Sequence, residues 1–223
     1  MHGSSNEADP PLSQATLDGA GLAEPAPVTD YRVRPATAAD ADAICRIYNQ
    51  GIEDRVATLE TELRTPEERR RWLANRSPRH PVVVAEATEP RFVGRHGGGE
   101  TEPGRTFVKP PTESSGLAAP ATMVGWGSLN VFNPREAYRF VADFSIYVER
   151  AWRGRGVGRA MLEALIELAR THGFHKLVLS AFPFNAVGGA LYEKLGFRTV
   201  GVYREQGLLD GKWVDTIIME KLL

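Results

Sequence analysis

The stretch AWRGRGVGRAML, residues 151–162, places glycines at 154, 156 and 158 and arginines at 153, 155 and 159. Glycine lets another molecule approach the main chain closely, and guanidinium groups hold anions through charge-assisted hydrogen bonds. A helical pattern follows, with Met161, Leu162, Leu165, Leu168 and Ala169 on one face and Arg159, Glu163, Glu167 and Arg170 on the other. The first turn of such a helix offers free N–H groups and the positive end of its dipole, which suits phosphate. Of the known phosphate devices, a Walker loop needs a lysine after its glycines, and none follows here. A dinucleotide fingerprint needs a third glycine where Arg159 or Met161 stands. What remains is R-x-x-G-x-G, met by Arg153, Gly156 and Gly158, and it points to a pyrophosphate. A plain glycine turn with solvated arginines would use the same six residues.

Other reactive residue types are sparse. The five histidines are scattered without ligand spacing, so no metal is expected. Cys45 is the only cysteine, which excludes an intrachain disulfide and fits a reducing, cytoplasmic setting. It sits beside Ile44 and Tyr48 on a helical pattern with no adjacent base, as a small hydrophobe would. Lys+Arg 27 against Asp+Glu 28 gives a net charge of -1, so no global field recruits nucleic acid or an anionic membrane. No stretch approaches the ~20 apolar residues of a membrane-spanning helix, and no secretory signal pattern opens the chain.

The elements that must position this chemistry can be read along the 223 residues. Residues 1–29 are rich in Ser, Pro, Ala and Gly without apolar period and read as a disordered tail. Tyr31 and Val33 begin a short strand. Thr37 or Asp40 then caps a helix carrying Ile44, Ile47, Tyr48 and Ile52. A second helix starts at Thr65, with Pro66 at its first position and Glu68 completing a capping box. PVVVAEA is a strand. A Gly/Pro-rich stretch near 89–121 reads as a disordered insert between two hairpin strands. TMVGWGSLNVF and AYRFVADFSIYVE are further strands; in the second, Tyr138, Phe140, Ala142, Phe144, Ile146 and Val148 share one face. The glycine turn, a helix closing at Gly173, the strand KLVLSAF, a helix ending at Gly196 and a final strand pair complete a single α/β domain over residues 30–223.

SIYVERAWRGRGVGRAMLEALIELARTHGFHKLVLSAFPFNAVGGALYEKLGFRTVG resembles the acetyl-CoA half of the GCN5-related N-acetyltransferase (GNAT) superfamily. That resemblance implies a mixed, mostly antiparallel central sheet flanked by helices, with acetyl-CoA as co-substrate. It implies pantetheine contacts at Ile146, Tyr147 and Val148 and pyrophosphate contacts at Arg153, Gly154, Arg155, Gly156, Val157, Gly158 and Arg159. Asn185 is placed beside the pantetheine arm and Tyr192 near the sulfur. YNQGIEDRVATLETE, PREAYRFVADFSIYV and GLLDGKWVDTIIMEKLL further resemble the phosphinothricin N-acetyltransferase group, its arsinothricin branch above all. These enzymes acetylate the α-amino group of glutamate-like antibiotics, and the similarity runs from about Tyr31 to the C-terminus.

By that resemblance Asp143 is the catalytic base, and Tyr192 the acid for the departing thiolate. Arg135, Tyr138, Leu59 and Glu60 fall at substrate-binding positions. The chain departs from the group's pattern in having Asp143 for the usual glutamate, Leu59 for an aromatic, and so long an insert. A small amino acid is the expected partner, and the oligomeric state is left open, a homodimer included. Two other readings stay open: acetylation of another amine, such as methionine sulfoximine or a protein N-terminus, and a non-catalytic acetyl-CoA sensor. Asp143 and Tyr192 discriminate the sensor, which needs the cofactor turn but neither base nor acid.

Overall fold

A computed structural model describes residues 31–87 and 121–223. The expected tail at 1–29 lies outside the described residues, as does the expected insert near 89–121 except for Ala121. The described strands form one seven-stranded sheet in the order β1-β2-β3-β4-β5-β7-β6. They are β1 (Tyr31–Pro35), β2 (Val82–Ala87), β3 (Thr122–Val131), β4 (Val141–Val148), β5 (Lys176–Ala181), β6 (Arg198–Leu209) and β7 (Lys212–Leu222). Every pairing is antiparallel except β4 with β5.

Helices cover both faces because β2 and β3 are apolar on both. Val82, Val84, Met123 and Trp126 pack under α1 (Ala41–Glu53) with its Ile44, Ile47, Tyr48 and Ile52. Val83 and Leu129 turn the other way, against Leu162, Leu165 and Ile166 of α3 (Val157–Thr171). The capping box expected for α2 (Pro66–Ala74) is present: the Thr65 hydroxyl accepts from the Glu68 N–H, and the Glu68 carboxylate accepts from the Thr65 N–H. Thr37 closes an analogous box with Asp40 over a single 3-10 turn, and α1 begins one residue later. α4 (Ala186–Lys194) starts at Asn185, whose side chain caps the Gly188 N–H.

One expected element is shorter than its pattern. β4 begins at Val141, and Glu136–Tyr138 form a 3-10 turn in which Tyr138 and Arg139 donate back to the carbonyls of Arg135 and Glu136. The ladder to β3 ends at Val131 opposite Ala142, so residues before Val141 have no strand to join. Tyr138 and Phe140 are therefore exposed, not on the core face where alternation put them.

α3 lies close to the sheet because β3 carries glycines beneath it. A Cβ on Gly127 would come within 2.9 Å of the Ser145 carbonyl oxygen and 3.0 Å of Leu165 Cδ1. The backbone of β4 cannot yield there without breaking the ladder. Gly127→Ala should therefore destabilise the fold by roughly 1–3 kcal/mol, as overpacking does. Gly201→Ala, where a Cβ meets nothing within 4 Å, should be near neutral. Urea-unfolding midpoints of the two variants check this contrast.

Candidate active site

β4 and β5 run side by side for only three residues, Val141 to Asp143 opposite Lys176 to Val178. Beyond Asp143, β4 keeps β3 on one edge through Val148, while β5 continues along β7. The other edge of β4 from Ser145 to Val148 has no strand partner among the described residues. Between the parted strands lies a cleft of about 150 Å³. Of the expected site residues, Asp143, Ile146, Tyr147, Asn185 and Tyr192 all line it. An open strand edge leading into a narrow slot fits an extended arm that carries its own amides, as pantetheine does.

Past Val148 the chain passes through the 3-10 turn Arg150–Trp152 into the glycine turn. Gly154 and Gly156 both adopt left-handed backbone, at φ 75° and 87°, which is why glycine stands at each. Gly156 is also the N-cap of α3 and offers no side-chain oxygen to the first-turn N–H groups. Those donors stay available for an anion. A Cβ on Gly156 would meet the Tyr31 hydroxyl at 2.7 Å, so a substitution there disturbs the protein as well as a ligand. Of the arginines, Arg153 pairs with Asp54 at 2.6 Å and Arg159 with Glu163 at 2.9 Å. Arg155 stands over the Trp152 ring at 5.1 Å. The donor set fits a pyrophosphate.

Asp143 sits at the point where the strands part. Burial pushes its carboxyl up to about 6, opposed only by a hydrogen bond from the Phe144 N–H. No cation pairs with it among the described residues. A carboxyl in that range is mostly ionised at neutral pH, yet basic enough to accept a proton readily. Tyr192 packs edge-on against Phe144, with ring centroids 5.9 Å apart, and burial raises its phenol pKa. It stays protonated as a donor, though full proton transfer to a thiolate becomes more uphill. Asn185 spends its Oδ1 on the helix cap and retains its amide N–H groups. The Tyr147 ring turns away from its main chain, stacked on Trp126 at 4.9 Å and edge-on to Tyr48 at 4.8 Å.

The four expected substrate residues are not part of the cleft lining. Arg135 is exposed, and its N–H donates to Asn133 Oδ1. Tyr138 tilts against Phe132, 5.6 Å between centroids. Leu59 lies over Gly207 of β6, and the Glu60 carboxylate accepts from Arg64 at 2.7 Å. Val56 and Ala57 do line the cleft, from the segment that follows α1, together with Ser180 and Phe182 at the end of β5. No spacing in the sequence marks them, because they reach the cleft from loops. Cys45 is buried away from it, with its thiol donating to the Arg64 carbonyl at 3.0 Å. Burial raises its pKa, the opposite of what a thiolate nucleophile needs.

Comparison with known proteins agrees with this geometry. The family model described as Acetyltransferase (GNAT) family matches residues 50–197. A Bacillus subtilis protein, YwnH, provisionally named a phosphinothricin acetyltransferase, is 30% identical over 86% of this chain and 98% of its own. The L-methionine sulfoximine/L-methionine sulfone acetyltransferase of Pseudomonas aeruginosa is 26% identical over 84% of this chain and 92% of its own. A crystal structure of a GNAT superfamily phosphinothricin acetyltransferase from Sinorhizobium meliloti, in complex with acetyl-CoA, superposes with TM-score 0.68 at 26% identity. That alignment covers 86% of this chain and 88% of the other. The chain belongs to the GNAT family of acetyltransferases.

Proposed function

We propose that this enzyme acetylates the α-amino group of a small glutamate-like amino acid whose side chain carries a second anion, a phosphinate or an arsinate. The observation that carries the catalytic part of this reading is Asp143, half-buried at the cleft without a cation where the strands part. A sensor would gain nothing from a carboxylate whose ionisation opposes folding. The names of the relatives support the amino acid class and leave phosphinothricin, arsinothricin and methionine sulfoximine as alternatives. Inactivation of such an antibiotic in the cytoplasm is the biological role that follows, and the buried free thiol of Cys45 is compatible with that compartment.

Acetyl-CoA supplies the acetyl group as a thioester. Asp143 takes the proton from the ammonium, directly or through one water, since its side chain is a methylene shorter than the usual glutamate. The neutral amine then attacks. Main-chain N–H groups of Ile146 and Val148 face the open edge, while that of Tyr147 faces β3, and the open pair can stabilise the carbonyl oxygen as it gains charge. Tyr192 donates a hydrogen bond to the departing sulfur. The C–N bond forms and the C–S bond breaks; of the two protons the ammonium nitrogen loses, one ends on the sulfur and the other leaves Asp143 for solvent. Both reactants meet in one complex, without an acetyl-enzyme. Arg135 and Tyr138 are the proposed readers of the second anion. They stand on an exposed turn just before β4 and can fold over the cleft mouth.

The substrate is tested by a panel of phosphinothricin, arsinothricin and methionine sulfoximine with acetyl-CoA, read by release of free thiol. An extra charged hydrogen bond should give the phosphinate or arsinate a kcat/KM advantage of about tenfold or more. A preference for methionine sulfoximine, whose side chain lacks the anion, would select the activity named for the Pseudomonas aeruginosa relative.

Asp143→Asn makes a paired prediction. Its turnover should fall by about 10²–10⁴-fold, and the acid limb of the wild-type kcat profile, centred near pH 6, should disappear with it. Stability should move the other way. Because the folded pKa lies above the ordinary 3.8, the native state binds more protons than the unfolded state between those values. Stability is thus lost as pH rises through that window, and the neutral amide escapes the loss. At pH 7 the variant should be more stable by roughly 1–3 kcal/mol. Thermal unfolding of both proteins at pH 4 and pH 7 checks the sign, and the gap should close at pH 4.

A further inference from the structure

The end of α1 holds the approach to the glycine turn through three residues that the acetyl-transfer chemistry does not use, Gln50, Glu53 and Asp54. Gln50 accepts the Arg150 N–H at 2.9 Å and donates to Glu149 at 3.2 Å. Glu53 pairs with Arg150 at 3.0 Å. Asp54 takes Arg150 in two-pronged fashion, at 2.7 and 3.2 Å, and also takes Arg153 at 2.6 Å. Arg153 is further fixed by its Nε, which donates to the Val148 carbonyl at 3.2 Å. One carboxylate therefore ties down both ends of the 3-10 turn Arg150–Trp152 that delivers the chain into Gly154.

We propose that Asp54 is a positioning residue for acetyl-CoA: by gripping Arg150 and Arg153 it presets the glycine turn in the shape that receives the pyrophosphate. Gly154 and Gly156 are the residues with most conformational freedom to lose, and an unrestrained turn would lose it on binding. On the far side the turn is anchored by Val157, which is fully buried at the start of α3. On the near side the anchor is Asp54. The guanidinium of Arg153 keeps its Nη2 without a partner among the described residues. Asp54 is followed by Arg55, at φ 57° and paired with Asp210 at 3.0 Å. Val56 and Ala57 come next and line the cleft. The same turn of chain thus holds the phosphate loop and one wall of the acyl site.

Acetyl-CoA binding to the full chain, measured by titration calorimetry, tests this. Asp54→Asn should raise Kd about fivefold, the scale of a partly exposed charge network, with kcat at saturating acetyl-CoA unchanged. Asp54→Glu should recover part of the loss. In a chain carrying both Arg150→Gln and Arg153→Gln, which leaves Asp54 nothing to hold, Asp54→Asn should change Kd less than about twofold. Unchanged or tighter binding in the single variant would overturn the proposal, since Asp54 would then be idle or a competitor of the pyrophosphate for Arg153. Equal weakening in both backgrounds would also overturn it, by showing that Asp54 acts through general stability rather than through the arginines.

Discussion

The parting of β4 from β5 after Asp143 is the constraint on which the rest of the molecule depends. A continuous seven-stranded sheet would satisfy every main-chain group and leave nothing to bind. Here the edge of β4 from Ser145 to Val148 is left without a strand, and its N–H and C=O groups need a partner that brings its own amides. Each such bond contributes only about 1 kcal/mol net, whereas an unmade buried one costs more. The cleft is therefore selective for a ligand shaped like a strand. The surrounding elements serve that opening. Gly125 and Gly127 let α3 settle on β3, and its uncapped N-terminus follows the glycine turn. Phe144, Tyr192 and Phe197 pack edge-on and tilted beside it.

Charge is arranged in opposite ways at the glycine turn and in the cleft. At the glycine turn, Arg153 and Arg159 are each steered by a carboxylate, in a region open enough for those pairs to exchange with a phosphate. Within the cleft a single carboxylate, Asp143, is half-buried with only a backbone N–H for company. Ion pairing would have lowered its pKa and cost it its basicity. The contrast separates holding a ligand from moving a proton.

Much of this was legible in the residues, and the exceptions have physical causes. The glycine turn, the α2 capping box and the buried faces of α1 and α3 announce themselves because local rules decide them: positive φ, side-chain caps and a 3.6-residue period. Asp143 sits in a clean alternation and lands where that alternation puts it. The pattern overreaches at Tyr138 and Phe140, whose types continue the alternation although β3 no longer runs beside them. Register across strands, which no single segment encodes, decides that. Val56 and Ala57 are invisible for a similar reason, since a loop places them. So is the Asp54 clamp, which joins residues nearly a hundred positions apart.

Amide hydrogen exchange with and without acetyl-CoA reads the central claim most directly, because it reports the N–H groups that the open edge and the uncapped helix present. Slowing on addition of acetyl-CoA should concentrate at Ile146, Val148 and 154–159, while β1, β2 and the body of β7 exchange as before. Slowing spread evenly over the sheet, or none at β4 despite saturating ligand, would contradict the assignment of the parted strands as the acetyl-CoA site.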